Sequence, residues 1–253
     1  VMFGSAGLSL ATVAGVPLGV ALSEALDWRL AFLLVAGATA AVGVAVRLVL
    51  PPVPPAAAST LGILVDTLRR RGVAGGMVGH VLVVLGHFLA YTYVRLSLER
   101  IPGVDAGTIV LLLALFGVGG LVGNIVVGVI VDRAFARLAV VGPLVIALAV
   151  AALVLLPSAI AVVAAAVLVW GFFFSSWLII VNTWVGHRMP DRLEAGGSLV
   201  VTGFQLAITI AAGLGGLLVD AAGVTTVDAI GILLLVIGAV SFGLSLRRRS
   251  VAG

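Results

Sequence analysis

Long apolar stretches alternate with short polar segments along almost the whole chain. Eight stretches are each long enough to cross a bilayer as a helix, since about 20 apolar residues span roughly 30 Å of hydrocarbon. They cover residues 4–22, 30–50, 73–94, 108–131, 138–156, 159–185, 199–219 and 230–246. Membrane β-strands need only about 9 to 11 residues and alternate apolar with polar positions, unlike these runs. The pattern therefore predicts an all-α, polytopic membrane protein with eight transmembrane helices.

Residues 51–72 form the one long connection between these spans, PPVPPAAASTLGILVDTLRRRG. Its prolines favour an extended start, and Ser59 or Thr60 can cap a short helix whose four aliphatic residues share one face. We expect that helix to lie on the inner membrane surface, where Arg69–Arg71 would hold it among the lipid headgroups.

Composition and charge agree with a location in the lipid bilayer. The chain is 62% hydrophobic and 9% charged, which a water-soluble chain of this length could not carry without large exposed apolar patches. When loops are counted alternately, eleven of the 14 basic residues, all arginine, fall on one side. Because cytoplasmic loops are rich in arginine, both termini and the linker are predicted to face the cytoplasm. The arginines are spread over five short loops, so nucleic-acid binding is not predicted.

Small residues spaced four apart recur in three spans, and this spacing lets transmembrane helices approach each other closely. The first span carries Gly7, Ala11, Gly15 and Gly19, and Pro17 allows it to bend. The fourth span carries Gly119, Gly120 and Gly123, and the seventh carries Ala212 and Gly216. The small residues of each span form a groove on one face of the helix. Each such groove, taken alone, is equally compatible with ordinary packing inside a helix bundle.

The fourth span ends in GVIVDRAFAR, which contains Gly128, Asp132, Arg133 and Arg137. A carboxylate beside arginines in a tight interhelical loop can pair with them in one conformation and release them in another. An anchoring loop that only follows the charge rule for cytoplasmic segments is the simpler alternative.

Several apolar spans also contain polar or bulky aromatic side chains. Placing such side chains in hydrocarbon is costly, so each requires a structural or functional explanation. His80, His87 and Tyr91 share one face of the third span, and the sixth span repeats bulky residues at Trp170, Phe174, Trp177, Val181 and Trp184. Histidines bonded to backbone carbonyls, and tryptophans facing lipid with Trp184 in the interfacial belt, are the alternatives. Asn124, Asn182 and Gln205 can bridge helices or bind ligand. The two histidines lie about 10 Å apart along a helix, so no metal site is predicted.

Three stretches resemble parts of the major facilitator superfamily. GVPLGVALSEALDWRLAF resembles the fifth-helix antiporter motif of its drug exporters, with Asp27 where the family usually has glycine. The region 91–133 is similar to the family's seventh and eighth helices, and 128–137 matches the second copy of its Gly-x-x-x-Asp-Arg motif. GFQLAITIAAGLGGLLVDAAG resembles the eleventh helix. The chain is thereby identified with helices five to twelve, closest to the bacterial drug and sugar efflux branch.

The resemblance implies a partial major facilitator fold and a transport function. Residues 1–50 would be helices five and six, 51–72 the central cytoplasmic linker, and 73–253 the C-terminal six-helix half. Because helices one to four have no counterpart here, we expect a truncated transporter. Its relatives imply proton-coupled efflux of small amphipathic drugs or sugars across the bacterial inner membrane, with the proton gradient as energy source and no other cofactor.

The resemblance also implies roles for the residues singled out above. The fifth helix would pack through its small residues on Gly119, Gly120 and Gly123 of the eighth, and both would move as the cavity changes sides. The seventh and tenth helices would line that cavity, which makes their aromatic and polar residues candidates for substrate contact, with His87 as candidate for proton coupling. The Ala212 and Gly216 face would lack its usual partner, and we expect it to be loosely packed or used for self-association.

Two other functions compete with transport. A remnant that sits in the membrane without transporting is the main alternative. An intramembrane hydrolase could pair Ser175 or Ser176 with His80 or His87, but the sequence contains neither a Gly-x-Ser-x-Gly elbow nor a His-Glu-x-x-His motif. We therefore predict that the chain is not an enzyme.

Overall fold

The computed structural model describes residues 28–49 and 60–247, and these residues are almost entirely helical, with no β-strand among them. The described helices are α1 (Trp28–Val49), α2 (Leu61–Arg69), α3 (Val73–Thr92), α4 (Val94–Leu98), α5 (Ala106–Leu155), α6 (Ile160–Ser175), α7 (Trp177–Arg188), α8 (Leu193–Ala222) and α9 (Val224–Arg247). Within that part of the chain, six helical stretches are long and apolar enough to cross a membrane. The predicted all-α membrane class is confirmed, while the first predicted span, 4–22, lies outside the described residues.

The chain divides into two compact units. In the first unit the structure describes helix α1, whose side chains with an assigned exposure are all exposed. The second unit contains α2 to α9, and its core lies where α3, α5, α6, α7 and α9 meet around the buried indoles of Trp170, Trp177 and Trp184.

The helical stretch α5 covers 50 residues, yet its two halves lie side by side. A straight helix of that length would extend about 75 Å. Arg100, just before α5, nevertheless donates from its guanidinium to the carbonyl of Val154 at its far end, over 3.5 Å. Gly123 and Gly142 also both lie against neighbouring residues of α6. These contacts agree with the two spans predicted at 108–131 and 138–156, but the segment between them is helical instead of an open loop.

Two other spans are interrupted near candidate site residues. The α3–α4 boundary falls at Tyr93, which has non-helical backbone angles. The α6–α7 boundary falls at Ser176, whose hydroxyl donates to the carbonyls of Phe172 and Phe173 over 2.8 and 3.2 Å. Hydroxyl groups that bond back to the preceding turn bend helices. The boundary separates α6, which places Trp170 beside α3, from α7, which places Trp177 and Trp184 there.

Glycines set the distance between α5 and α6. A Cβ atom added to Gly119, Gly123 or Gly171 would overlap a backbone carbonyl oxygen of the facing helix, and at Gly120 it would overlap the Ser175 side chain. The groove predicted on the fourth span is therefore filled by α6 within the same unit. The small residues expected to pack there, Gly7, Ala11, Gly15 and Gly19, lie outside the described residues together with Pro17. That interdomain contact stays a prediction.

Helices α3 and α9 also meet through glycines that the sequence analysis did not single out. A Cβ on Gly86 would lie 2.6 Å from the carbonyl oxygen of Gly231, and one on Gly79 would lie 2.9 Å from that of Gly238. Both pairs combine glycines from segments more than 140 positions apart, so four-residue spacing within one span could not reveal the pairing. This contact fixes α3, and with it the histidines, against the rest of the unit.

Candidate functional site

The predicted histidine stripe lies at the centre of the second unit, paired with tryptophans. His87 Nδ1 accepts a hydrogen bond from Trp170 Nε1 over 2.9 Å, and His80 Nδ1 accepts one from Trp177 Nε1 over 3.1 Å. All four side chains are at most 1% exposed. The structure therefore brings together the two sets of candidates that the sequence placed on separate spans.

The partners of His80 fix its protonation pattern. An indole N–H can only donate, so Nδ1 of His80 must be the unprotonated nitrogen of a neutral ring. The proton then resides on Nε2, which lies 3.1 Å from the carbonyl oxygen of Val200 on α8 and donates to it. His80 thus links α7, α3 and α8. His80 is thus bonded to a backbone carbonyl, as the alternative in the sequence analysis has it, and also to the indole of Trp177. His87 is bonded to the indole of Trp170.

A half-buried aromatic surface covers the histidine pairs. It consists of Phe88, Tyr91, Phe174 and Phe204, which we call the aromatic wall. His87 stacks on Phe174 with 7° between ring planes and on Tyr91 at a centroid distance of 5.1 Å, and His80 stacks on Phe204 at 6.2 Å. Phe88 meets Phe174 and Phe204 edge-on. Such packed rings offer flat apolar faces backed by a polar layer, a composition typical of small-molecule sites.

The remaining members of the predicted aromatic stripe belong to the core. Trp184 is fully buried with its ring 5.4 Å from that of Phe242, so it does not lie in an interfacial belt, and Val181 is buried as well. Trp170 and Trp177 are too enclosed to face lipid. The predicted stripe on α6 and α7 therefore neither faces lipid nor forms a continuous cavity lining. Of its five residues, only Phe174 belongs to the aromatic wall.

The uncharged polar candidates have different surroundings. Asn182 and Gln205 are exposed in the second unit, and Asn124 is half-buried on α5. Exposed amides are available for ligand contact, so a role of Asn182 or Gln205 in substrate binding stays a prediction. Their exposure argues against the helix-bridging role considered for them.

The Gly128 to Arg137 motif lies between Gly123 and Gly142, the part of α5 within which the chain reverses direction. Gly128, Asp132, Arg133 and Arg137 are all exposed, and within the described part of the chain no ion pair involves Asp132. The expected pairing of this carboxylate with its neighbouring arginines is thus not seen in this conformation. A gating role for the motif stays a prediction.

The small-residue face of α8 is partly occupied by Tyr93. The Tyr93 hydroxyl donates to the Ala212 carbonyl over 3.4 Å, and a Cβ on Gly216 would lie 3.4 Å from the same hydroxyl. Gly213 has no neighbour within 4 Å of the position of an added Cβ. One edge of this face is therefore packed and one is open, and self-association through it stays a prediction.

Sequence reasoning missed a buried acid. Asp228, 2% exposed near the start of α9, accepts a hydrogen bond from the Ser97 hydroxyl of α4 over 2.6 Å. The signal was present, because a carboxylate inside an apolar span is itself a reason to expect a function or a specific partner. Because position 228 lies two residues before the predicted span 230–246, Asp228 is assigned to a loop.

Comparisons with known proteins identify the family. The family model described as Major Facilitator Superfamily matches residues 3–197. The chain is 32% identical over 252 residues to the Transcription regulatory protein OpdE of Pseudomonas aeruginosa, covering 98% of this chain and 62% of the relative. It is also 32% identical to the Purine ribonucleoside efflux pump NepI of Salmonella typhimurium and of Escherichia coli. Those matches cover 87% and 89% of this chain, and 55% and 57% of the relatives. The chain thus spans about three fifths of their length.

Proposed function

This chain belongs to the Major Facilitator Superfamily, a family of membrane transporters, and from that premise we propose that it acts in the proton-coupled efflux of small amphipathic molecules by alternating access. The observation that carries the proposal is the aromatic wall lying directly over two buried histidine–tryptophan pairs. Flat rings supply a surface for an amphipathic substrate, and the imidazoles beneath supply a group that can exchange a proton. Both requirements of a coupled carrier then meet at one place.

The shape of the aromatic wall favours substrates with a planar ring. Aromatic faces attract flat partners by offset or edge-to-face packing at centroid distances of about 4.5–7 Å. The NepI relatives are named as efflux pumps for purine ribonucleosides, which combine a planar base with a polar sugar. We therefore place purine ribonucleosides ahead of drugs and free sugars as the substrate class to test.

The substrate proposal is tested by uptake into everted membrane vesicles that contain this chain, with radiolabelled inosine and an imposed pH gradient. Phe174→Leu removes a stacking face, and we expect uptake to fall about fivefold, because a ring pair contributes about 1 kcal/mol beyond its area. Phe172→Leu, on the same helix but outside the aromatic wall, is the matched control and is expected to retain uptake. Equal losses in both variants would contradict a specific role of the wall.

The hydrogen bond of His87 supports the proposed proton coupling at this residue. Nδ1 accepts the indole N–H of Trp170, and a protonated imidazole carries a proton on both nitrogens. Proton uptake at Nδ1 therefore breaks the contact between α3 and α6 at the level of the aromatic wall. Protonation and a change in the packing of the substrate surface become one event, which is the linkage that an antiporter requires.

The coupling proposal is tested by the pH dependence of vesicle uptake. Trp170→Phe removes the N–H that competes with a proton for His87, so the midpoint of the pH–rate profile is expected to move to higher pH. Trp177→Phe makes the same change beside His80 and is expected to leave the midpoint in place. A shift caused by Trp177→Phe alone would assign the proton to His80 and refute the role of His87.

A second candidate is a membrane protein that does not transport. The OpdE relative is named as a transcription regulatory protein, so a chain of this family with a regulatory role is a definite alternative. Vesicles that take up no labelled nucleoside, drug or sugar, although the chain is folded and inserted, would favour this second candidate over efflux.

A further inference from the structure

A cavity of about 590 Å³ opens between α2, the start of α3 and the end of α9. Its lining includes the apolar residues Leu68 and Leu244, the serines Ser241 and Ser245, and the basic residues Arg69–Arg71, which we call the arginine rim. Helices α3 and α9 are membrane-spanning, so the cavity lies where their ends reach the headgroup region. A basic rim above an apolar wall at that depth is complementary to an amphipathic anion.

Two of the three rim arginines are available to a ligand. Arg70 is engaged by Asp191 through two hydrogen bonds of 2.7 and 2.5 Å. Arg69 and Arg71 are exposed, and in the described part of the chain neither forms an ion pair, including with Asp66 on the same helix. Two cavity-lining arginines therefore carry no ion pair that would compete with a ligand, and guanidinium is the side-chain group best suited to bind phosphate oxygens.

Helix α2 is held in a fixed position beside the cavity. Arg192 donates to the Thr67 hydroxyl over 3.2 Å and to the Ile63 carbonyl over 3.4 Å, which docks one face of α2 on the start of α8. The opposite face leaves Leu61 81% exposed and Val65 44% exposed. Because Val65 also lines the cavity, a continuous apolar surface leads away from the arginine rim.

We propose that this cavity binds an anionic membrane phospholipid, with the phosphate held by Arg69 and Arg71 and the start of an acyl chain along Val65, Leu68 and Leu244. Basic pockets between transmembrane helices recognise anionic headgroups in this way, and the apolar wall adds hydrophobic contact with the chain. The bound lipid fills the space between α2 and α9 and joins the linker helix to the six-span bundle. The site is separate from the aromatic wall, and its test does not depend on transport.

The experiment measures binding of fluorescent phosphatidylglycerol to the purified full chain in uncharged detergent micelles. Arg69→Gln/Arg71→Gln removes the rim charges, and we expect phosphatidylglycerol affinity to fall at least tenfold. Gly75→Leu keeps all charges but fills the cavity, since a Cβ there would already lie 3.7 Å from the Ser245 Cβ, and a similar loss is expected. Phosphatidylcholine and inorganic phosphate, tested as competitors, are expected to displace the probe at least tenfold less effectively than unlabelled phosphatidylglycerol.

The matched control is Arg133→Gln/Arg137→Gln, which removes two exposed arginines that do not line the cavity. Its affinity for phosphatidylglycerol is expected to stay within twofold of the unmodified chain. The proposal is overturned if the Arg69/Arg71 variant binds within twofold of the unmodified chain, if both double variants lose affinity equally while Gly75→Leu loses none, or if inorganic phosphate competes as well as the lipid. Size-exclusion profiles and tryptophan fluorescence verify that each variant is folded.

Discussion

The contact between α5 and α6 permits a direct test of why glycines occur where they do. We consider Gly119→Ala and Gly123→Ala, each of which adds one methyl group against the backbone of α6. Gly128→Ala makes the identical change further along α5, where no atom lies within 4 Å of the added Cβ. The comparison therefore separates packing from the intrinsic effect of replacing glycine.

The size of the effect follows from the geometry. At Gly123 the added Cβ would overlap the Phe172 carbonyl oxygen and lie 2.7 Å from the carbonyl carbon, against 3.4 Å for the start of ordinary contact, so α6 must retreat by at least about 0.7 Å. A gap of that size forfeits roughly a quarter to a half of the dispersion energy of the atoms it separates. Overpacking costs about 1–3 kcal/mol, and a backbone obstacle that cannot change rotamer places these variants near the upper value.

Helix propensity acts in the opposite direction. Replacing glycine by alanine within a helix stabilises it by up to about 1 kcal/mol. We therefore expect Gly119→Ala and Gly123→Ala to lower the free energy of unfolding by about 2 kcal/mol, and Gly128→Ala to leave it unchanged or to raise it by up to about 1 kcal/mol. The difference of about 2–3 kcal/mol corresponds to a change of about 30- to 150-fold in the unfolding equilibrium.

The assay is equilibrium unfolding by sodium dodecyl sulfate in mixed micelles, followed by intrinsic fluorescence. Trp170 is a suitable reporter because it is buried and directly precedes Gly171, which takes part in the same contact. If Gly119→Ala proved as stable as Gly128→Ala to within about 0.5 kcal/mol, the close approach of α5 and α6 would not be the reason for the glycine, and the reasoning would fail.

Three further predictions concern other contacts. A double-mutant cycle on Ser97→Ala and Asp228→Ala is expected to give a coupling of about 1.5–3 kcal/mol in unfolding free energy, since the hydroxyl donates to a buried carboxylate. The Arg70 guanidinium lowers the pKa of Asp191 to about 2 from its ordinary 3.8, so the docking of α2 that this pair supports is present above pH 4 and is lost as the pH falls towards 2. Amide hydrogen exchange of α2, corrected for its intrinsic pH dependence, measures that loss. A cysteine at the open position Gly213 is expected to form disulfide-linked dimers in membranes if the α8 face self-associates.

For each of these three predictions, a specific outcome would contradict it. Additive effects of the Ser97 and Asp228 substitutions would mean that the hydrogen bond contributes nothing. Exchange in α2 that rises equally with acid in the Asp191→Asn variant would remove the ion pair from the explanation. Absence of crosslinks at Gly213 at every lipid ratio would exclude self-association through this edge.

The positions of the spans were predictable because they depend on local composition alone. The predicted span 73–94 corresponds to α3, which covers Val73–Thr92, and α8 and α9 contain the predicted 199–219 and 230–246. Thr60 accepts the hydrogen bond of an N-cap from the Ile63 amide, one of the two caps expected for the linker helix. Neighbouring residues determine these features, so a single sequence contains the necessary information.

The partners within the site could not be predicted in the same way. His87 and Trp170 lie 83 positions apart, and Ser97 and Asp228 lie 131 apart. In a soluble helix a polar face would indicate which side points inwards. Spans such as α5 and α6 are apolar on every side, so hydropathy alone does not define their rotation about the helix axis.

Local composition is enough to identify this chain as a helical membrane protein, to locate its spans approximately, and to show which residue types are available for binding and proton exchange. Long-range contacts are needed to establish that Gly119 and Gly123 face α6, that each histidine pairs with one tryptophan, and that Phe174 reaches the aromatic wall while Trp184 is buried. These features escape a single sequence because lipid and protein interior are equally apolar. Helix rotation in a bilayer is therefore set by close packing and buried hydrogen bonds, which exist only once distant segments have come together.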